Sequence, residues 1–205
     1  GDVLTYSAGV TGNATVDVSG DQLTVQPDPN FNGDIQVTVF VSDGELTDSQ
    51  TFILTVNPVN DPPTIDDVVS QEMDEDAILE VLLFGDDIDV GDTLTFSVDD
   101  TDNATVGVDG NILTIVSDEN YNGLLSITVS VSDGIESDST SFDVTVNPVN
   151  DAPVLDVIDN QNIDEDTSLA LVLSADDIDA GDVLTYSAGV TGNATVDVSG
   201  DQLTV

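Results

Sequence analysis

No lysine, arginine or histidine occurs anywhere in this chain, against 42 aspartates and glutamates, so its formal charge at pH 7 is −42. No ion pair can form between its side chains, and none of them can neutralise a phosphate, which excludes nucleic acid as a partner. The absence of histidine, cysteine and lysine removes the usual general bases and nucleophiles. Two carboxylates could in principle hydrolyse a glycoside, but the acids here fall at repeated loop positions, so the chain is expected not to be an enzyme. Without cysteine no disulfide staples the fold, and without lysine no Lys–Asn isopeptide bond can. Tryptophan is missing and aromatics make up 4%. Tyr6, Tyr121 and Tyr186 lie in strand or turn contexts that suit packing rather than sugar stacking. No apolar run approaches the roughly eighteen residues of a membrane span, and the start does not read as a signal peptide. The expectation is a soluble segment with no direct membrane insertion. Helical periodicity is missing throughout.

What is present is a strand-forming composition. Hydrophobic residues make up 39% of the chain, mostly Val, Leu and Ile, which favour pleated surfaces. The acids comprise 35 Asp and 7 Glu. Self-repulsion on this scale opposes compaction, so salt must screen it or bound divalent cations must neutralise it. A solvating surface can use either acid, whereas short Asp side chains suit tight loops that wrap a cation. That bias favours cations.

The chain repeats itself every 90 residues without insertion. NPVNDPP (57–63) returns as NPVNDAP (147–153), FNGDIQVTVFVSDG (31–44) as YNGLLSITVSVSDG (121–134), and MDEDAILEVLLFGDDIDVGD (73–92) as IDEDTSLALVLSADDIDAGD (163–182). Residues 1–25 and 181–205 are identical, while 1–25 and 91–115 agree at 14 of 25 positions. Alternate repeats are thus closer than neighbours, which implies a two-repeat unit of 180 residues copied in tandem. The expected domains are 1–60, the C-terminal two-thirds of a repeat; 61–150, a complete repeat; and 151–205, the N-terminal part of a third. The segment reads as a window on a longer array.

Strand signals fill each repeat. Ile35, Val37, Val39 and Val41 alternate with polar or exposed partners, as do Leu125, Ile127, Val129 and Val131. Phe52, Leu54 and Val56 form another face, matched by Phe142, Val144 and Val146. Seven strands are predicted in the middle repeat, near 65–72, 78–84, 93–98, 104–108, 112–116, 125–132 and 140–147. A hairpin turn is predicted at Asp109-Gly110-Asn111. The fold expected is all-β: tandem immunoglobulin-like antiparallel β-sandwiches joined end to end.

Four acidic clusters recur: Asn60-Asp61 and Asn150-Asp151; Asp74-Glu75-Asp76 and Asp164-Glu165-Asp166; Asp86 to Asp92 and Asp176 to Asp182; and the SDG aspartates Asp43 and Asp133. Asp87, Asp89 and Asp92 follow a D-x-D-x-x-D spacing that can turn several carboxylates inward on one loop. It is not an EF-hand, because position twelve would be Val98 and no flanking helices are predicted. Alone the spacing is weak, and its recurrence with three other clusters at fixed offsets is stronger.

These segments resemble bacterial cadherin-like repeats of giant secreted adhesins, grouped with RTX and VCBS-type surface proteins. NPVNDPP and NPVNDAP resemble the cadherin linker D-x-N-D-N-x-P, ADDIDAGDVLTYS resembles the D-x-D-x-G-x-N-x-x-x-Y-S segment, and NFNG…VSDG resembles the bacterial subtype. The likeness covers the whole chain and implies Ca2+ between successive repeats. It places Asn60 and Asp61 with Asp87, Asp89, Asp92 and Asp133 at the first junction, and Asn150 and Asp151 with Asp177, Asp179 and Asp182 at the second. Asp43 and Glu165 hold the matching positions in the flanking repeats. Glu75, with Asp76 as an alternative, matches the acid at the bottom of the preceding domain. The cadherin D-R-E loop has Asp118-Glu119 as its nearest counterpart, and Asp28-Pro29 lacks the second acid. Asn57 and Asn147 stand where cadherins often carry Asp. These departures leave the number of ions per junction open.

Plainer readings stand beside these. Asp99-Asp100, Asp66-Asp67 and Asp156 read as solvated turns, Asp74 as a turn cap, and the linker prolines as a rigid spacer. Asn13, Asn103 and Asn193 each open an Asn-Ala-Thr sequon, which Asn–Thr turns also explain. The function expected is an extracellular, calcium-rigidified extender in a cell-surface adhesin. Its partners are neighbouring repeats, and terminal domains elsewhere bind the target surface. One alternative is a segment of a self-assembling filament or surface layer. Another is a carbohydrate- or protein-binding adhesion module.

Overall fold

The computed structural model describes residues 3–205, and strands are the only regular elements among them. Residues up to 60 form β1 (Thr5–Val10), β2 (Ala14–Ser19), β3 (Gln22–Pro27), β4 (Gly33–Ser42) and β5 (Thr47–Val56). The middle repeat forms β6 (Thr64–Ile65), β7 (Gln71–Asp74), β8 (Ile78–Leu82), β9 (Gly85–Asp86), β10 (Thr95–Val98), β11 (Ala104–Asp109), β12 (Ile112–Ser117), β13 (Gly123–Ser132) and β14 (Ser137–Asn147). Beyond it lie β15 (Val154–Leu155), β16 (Ala170–Val172), β17 (Ala175–Asp176), β18 (Asp197–Ser199) and β19 (Gln202–Thr204).

The chain groups into two compact units. One gathers the chain up to Asp66 with Leu83–Ser97 and Ser130–Thr140. Here β4 runs antiparallel between β1 and β5, with Val37 opposite both Val10 and Phe52, and Ile35 opposite Leu54. Ile35 and Val37 are buried while Asp34 and Gln36 are exposed, the period-two pattern of a strand with one face in a core. β2 and β3 form a hairpin. The short β6 pairs antiparallel with β9, Ile65 facing Gly85. A Cβ on Gly85 would lie 2.8 Å from the Thr64 carbonyl oxygen, so only glycine permits this approach, which sets the acidic loop after β9 beside the linker.

The other unit comprises Asp67–Leu82, Val98–Val129 and Ser141–Val205. β12 lies between β8 and β11, both antiparallel to it. β7 runs parallel to β14, from Gln71 opposite Val144 to Asp74 opposite Asn147. β15 pairs with β17, and β19 with both β16 and β18. Leu113, Ile115, Ile127 and Val129 are fully buried, as are Val144 and Val146 nearly so.

Two predicted details are corrected. The strand predicted at 65–72 is two short strands, β6 and β7, because its ends have different partners: β9 at Ile65 and β14 at Gln71. The turn predicted at Asp109-Gly110-Asn111 is shorter, since Asp109 belongs to β11 and pairs with Ile112, leaving Gly110-Asn111 as a two-residue turn. The identical ends make a natural comparison. TYSAGV forms β1 at 5–10 against β4, whereas at 185–190 it lies outside any strand. Pairing, rather than local propensity, makes this strand.

Ile127→Ala should cost about 2–5 kcal/mol by the lost apolar transfer and the cavity left. Ile78→Ala, on a side chain 68% exposed, should cost under about 1 kcal/mol. Urea unfolding at fixed ionic conditions measures both, and equal losses would contradict the assigned core.

Candidate functional site

The loop after β9 is shaped by its own backbone. The Asp89 N–H donates to Asp87 Oδ1 at 2.8 Å, an Asx turn. Gly91, at φ +109°, then carries the chain through a conformation that L side chains rarely adopt and returns Asp92 toward Asp87. The loop after β17 repeats this, with the Asp179 N–H on Asp177 Oδ1 at 3.0 Å and Gly181 at φ +104°. In both places the linker backbone closes the arrangement. The Asp61 N–H donates to Asp89 Oδ2 at 2.7 Å, and the Asp151 N–H to Asp179 Oδ2 at 2.6 Å.

The first site brings together carboxylate oxygens of Asp87, Asp92 and Asp133 within 4.8 Å of one another. Asp133 comes from the hairpin between β13 and β14, where its Oδ1 accepts the N–H groups of Ile135 and Glu136, both at 2.7 Å. Its Oδ2 accepts the Asn60 amide at 2.9 Å. These donors, the Glu136 N–H foremost, hold the Asp133 pKa below the usual carboxylate range. Asp92 is pushed the other way. Although it is largely exposed, its remaining desolvation raises its pKa, and the charges of Asp87, Asp89 and Asp133 add to the shift.

The second site joins Glu75, Asp151 and Asp179, again within 4.8 Å, with Asp177 and Asp182 clustered on the same Asp179. Glu75 stands in the turn after β7 and is 4% exposed. The parallel pairing of β7 with β14 puts it there, and its N–H donates to the Asn147 carbonyl at 2.9 Å. Glu75 Oε1 accepts the Val149 N–H at 2.6 Å, and Oε2 the Asn122 amide at 3.2 Å. The Asp151 pKa is raised, first by burial and then by the charges of Asp179, Asp76, Glu75 and Asp177.

The remaining expected residues are placed less centrally. Asn60 and Asn150 donate to the carbonyls of Asp61 and Asp151 at 3.2 and 2.7 Å. The Asp61 carboxylate joins neither cluster. Asp43 serves its own hairpin, accepting Glu45 and Leu46 N–H groups at 2.9 and 2.7 Å, which lower its pKa, Leu46 foremost. Asp76 is exposed, in left-handed backbone at φ 60°. Asp118, Glu119 and Glu165 are exposed and outside every carboxylate cluster found among the described residues. Two partners escaped the sequence reading: Asn122, within a conspicuous Asn-Gly pair, and Glu136, whose oxygen accepts the Asn60 amide at 3.2 Å.

The donor set suits a hard cation. It is all oxygen, and each site contains one carboxylate oxygen that is buried without any hydrogen-bond partner, Asp87 Oδ2 in the first and Asp151 Oδ2 in the second. Buried polar atoms are rarely left unpaired, and an anionic oxygen costs most when they are.

The sequence matches the bacterial Ig domain family over residues 1–55 and 60–147. The chain belongs to that family. No curated protein sequence matches it. Among solved structures it is similar to human protocadherin-24 EC1-2, with 14% identity over 71% of this chain and 83% of that one and a TM-score of 0.52. It is also similar to human CDH23 EC21-23, with 17% identity over 87% of this chain and 69% of that one and a TM-score of 0.50. An endo-fucoidan hydrolase of glycoside hydrolase family 107 aligns at 23% identity over 73% of this chain, with a TM-score of 0.34. This chain spans 24% of that protein's length. The family match and the two cadherin structures identify an all-β, immunoglobulin-like and cadherin-like repeat fold. Domains of this kind are typically non-enzymatic and usually extracellular. Among the described residues no helix is long and apolar enough to cross a membrane.

Asp151→Asn should raise the thermal midpoint in chelator near neutral pH. A carboxylate with a raised folded pKa supports the fold when protonated, fully below its unfolded pKa, and withdraws that support as pH rises through the folded value. The gain should therefore fade as pH falls through the raised pKa of Asp151 to below the ordinary carboxylate value. Melts across that range test this, and a loss of stability at neutral pH would contradict it.

Proposed function

We propose that this chain is part of an extracellular structural extender, a run of repeats stiffened by calcium within a large RTX/VCBS-type cell-surface adhesin. Its repeats run 1–60, 61–150 and 151–205, and it performs no catalysis. The observation that carries the reading is the pair of buried, unpartnered oxygens on Asp87 and Asp151, one in each linker cluster, in a chain with no positive side chain.

Asp87, Asp92 and Asp133, with Asn60, would hold a cation at the first linker. Glu75, Asp151 and Asp179, with Asp177 and Asp182, would hold one at the second. Calcium suits these residues because it accepts six to eight oxygens in forgiving geometry, and it supplies the positive charge that the carboxylates lack. Without it, carboxylates within 4.8 Å of one another repel, and the linker is free to bend. The linker N–H groups of Asp151 and Val149 are already fastened to carboxylates of the second site, and that of Asp61 to Asp89, in the loop that supplies Asp87 and Asp92 to the first. Neutralising those acids therefore fixes the linker itself, and proline at Pro58, Pro62 and Pro148 limits its backbone further.

Calcium should raise the thermal midpoint in a concentration-dependent way, by about 2.7 kcal/mol for each site at a hundredfold excess over its Kd. It should also lengthen the particle in small-angle scattering, with magnesium doing less, because magnesium gives up its water reluctantly. Asp87→Asn and Asp151→Asn should each reduce the calcium-induced shift. A chelator that alters neither stability nor length would leave a solvated acidic surface as the explanation of the charge.

A further inference from the structure

The hairpin between β13 and β14 reads Ser132-Asp133-Gly134-Ile135-Glu136, and its counterpart between β4 and β5 reads Ser42-Asp43-Gly44-Glu45-Leu46. Their backbones are tied identically. Asp43 Oδ1 and Asp133 Oδ1 each accept the N–H groups two and three residues on, at 2.7–2.9 Å. The Ser42 and Ser132 hydroxyls donate to the carbonyls of Leu46 and Glu136 at 3.0 and 2.8 Å. The fifth position differs. Leu46 is 75% exposed, whereas Glu136 turns an oxygen toward the linker.

There the Asn60 amide nitrogen lies 3.2 Å from Glu136 Oε2 and 2.9 Å from Asp133 Oδ2. Two carboxylates thus face a single point, occupied by an amide nitrogen that also reaches the Asp61 carbonyl oxygen at 3.2 Å. Asp133 also belongs to the cluster that contains the unpartnered Asp87 Oδ2. Which end of an amide carries nitrogen is set by its hydrogen bonds, and a half-turn of the Asn60 amide would present Oδ1 to the same point instead.

We propose that Glu136 is an additional cation ligand at the 60/61 linker, completing a seat with Asp133 and Asn60. The hairpin with Leu46 has no carboxylate at the matching position. Linkers served by the two hairpin types then differ in calcium affinity, and a tandem array alternates tighter and looser joints with the two-repeat period. The inference rests on the calcium reading above and extends it to a specific ligand and to a difference between joints.

Calcium titration calorimetry on the whole chain tests it, comparing the wild type with Glu136→Leu and Glu136→Gln. Leucine is the residue that the sister hairpin already carries, so Glu136→Leu should keep the fold, which its melt in chelator checks. It should weaken one class of sites by about tenfold, as loss of a supporting ligand at a metal site typically does. The Glu75–Asp151–Asp179 site should titrate unchanged, and Glu136→Gln, which keeps an oxygen but not the charge, should fall between. The side-chain amide resonances of Asn60 should move on calcium addition in the wild type and move less in Glu136→Leu. Superimposable isotherms for Glu136→Leu and wild type would overturn this proposal alone. A wild-type chain that takes up no calcium would overturn it together with the reading it rests on.

Discussion

Every charged side chain in this molecule carries the same sign, and its loops are organised around that constraint. With no ammonium or guanidinium to pair with, the carboxylates turn to the backbone. N–H groups from Asp61, Ile65, Asp89, Ile135, Glu136, Val149, Asp151 and Asp179 all donate to acidic side chains. Hydrogen bonds from neutral donors to an anion are stronger than those between neutral groups, but each consumes a backbone donor and leaves the net charge unchanged. The loops are thereby shaped around concentrated negative charge that internal chemistry can hold in place without neutralising.

The cores beneath do not depend on that charge. In β12, β13 and β14, alternate apolar side chains are almost fully excluded from water, while intervening positions are polar or at least partly exposed. Burial of such side chains contributes about 1.5–3 kcal/mol each and is insensitive to salt screening of surface charge. The division of labour is physical. Aliphatic alternation makes the strands, and acidic loops at their ends gather the negative charge beside the linkers.

Much of this was legible in the sequence, because a strict period removes ambiguity. Alternation at Leu125–Val131 and Phe142–Val146 identified the long strands, and the D-x-D-x-x-D spacing identified the loop whose Asp87 and Asp92 meet. What could not be read depends on partners distant along the chain. The break between β6 and β7 arises because neighbouring residues pair with β9 on one side and β14 on the other. TYSAGV forms a strand at one end of the chain and not at the other, though its letters are identical. Glu136 looks like an ordinary acid on a hairpin tip until Asn60, 76 residues away, is seen to reach it. Asn122 likewise gains meaning only from Glu75, 47 residues away.

The exposed hairpin tips have one more consequence. Protruding loops are where proteolytic nicking concentrates, and Gly44, Glu45, Gly134 and Ile135 all lie open to solvent. Proteases of trypsin-like specificity cut after lysine or arginine, and this chain has neither. Its tips are further held by Asp43 and Asp133, each gripping two backbone N–H groups, which resists the local opening a protease needs. The composition that denies the molecule internal ion pairs also removes it from the reach of a whole class of digestive enzymes.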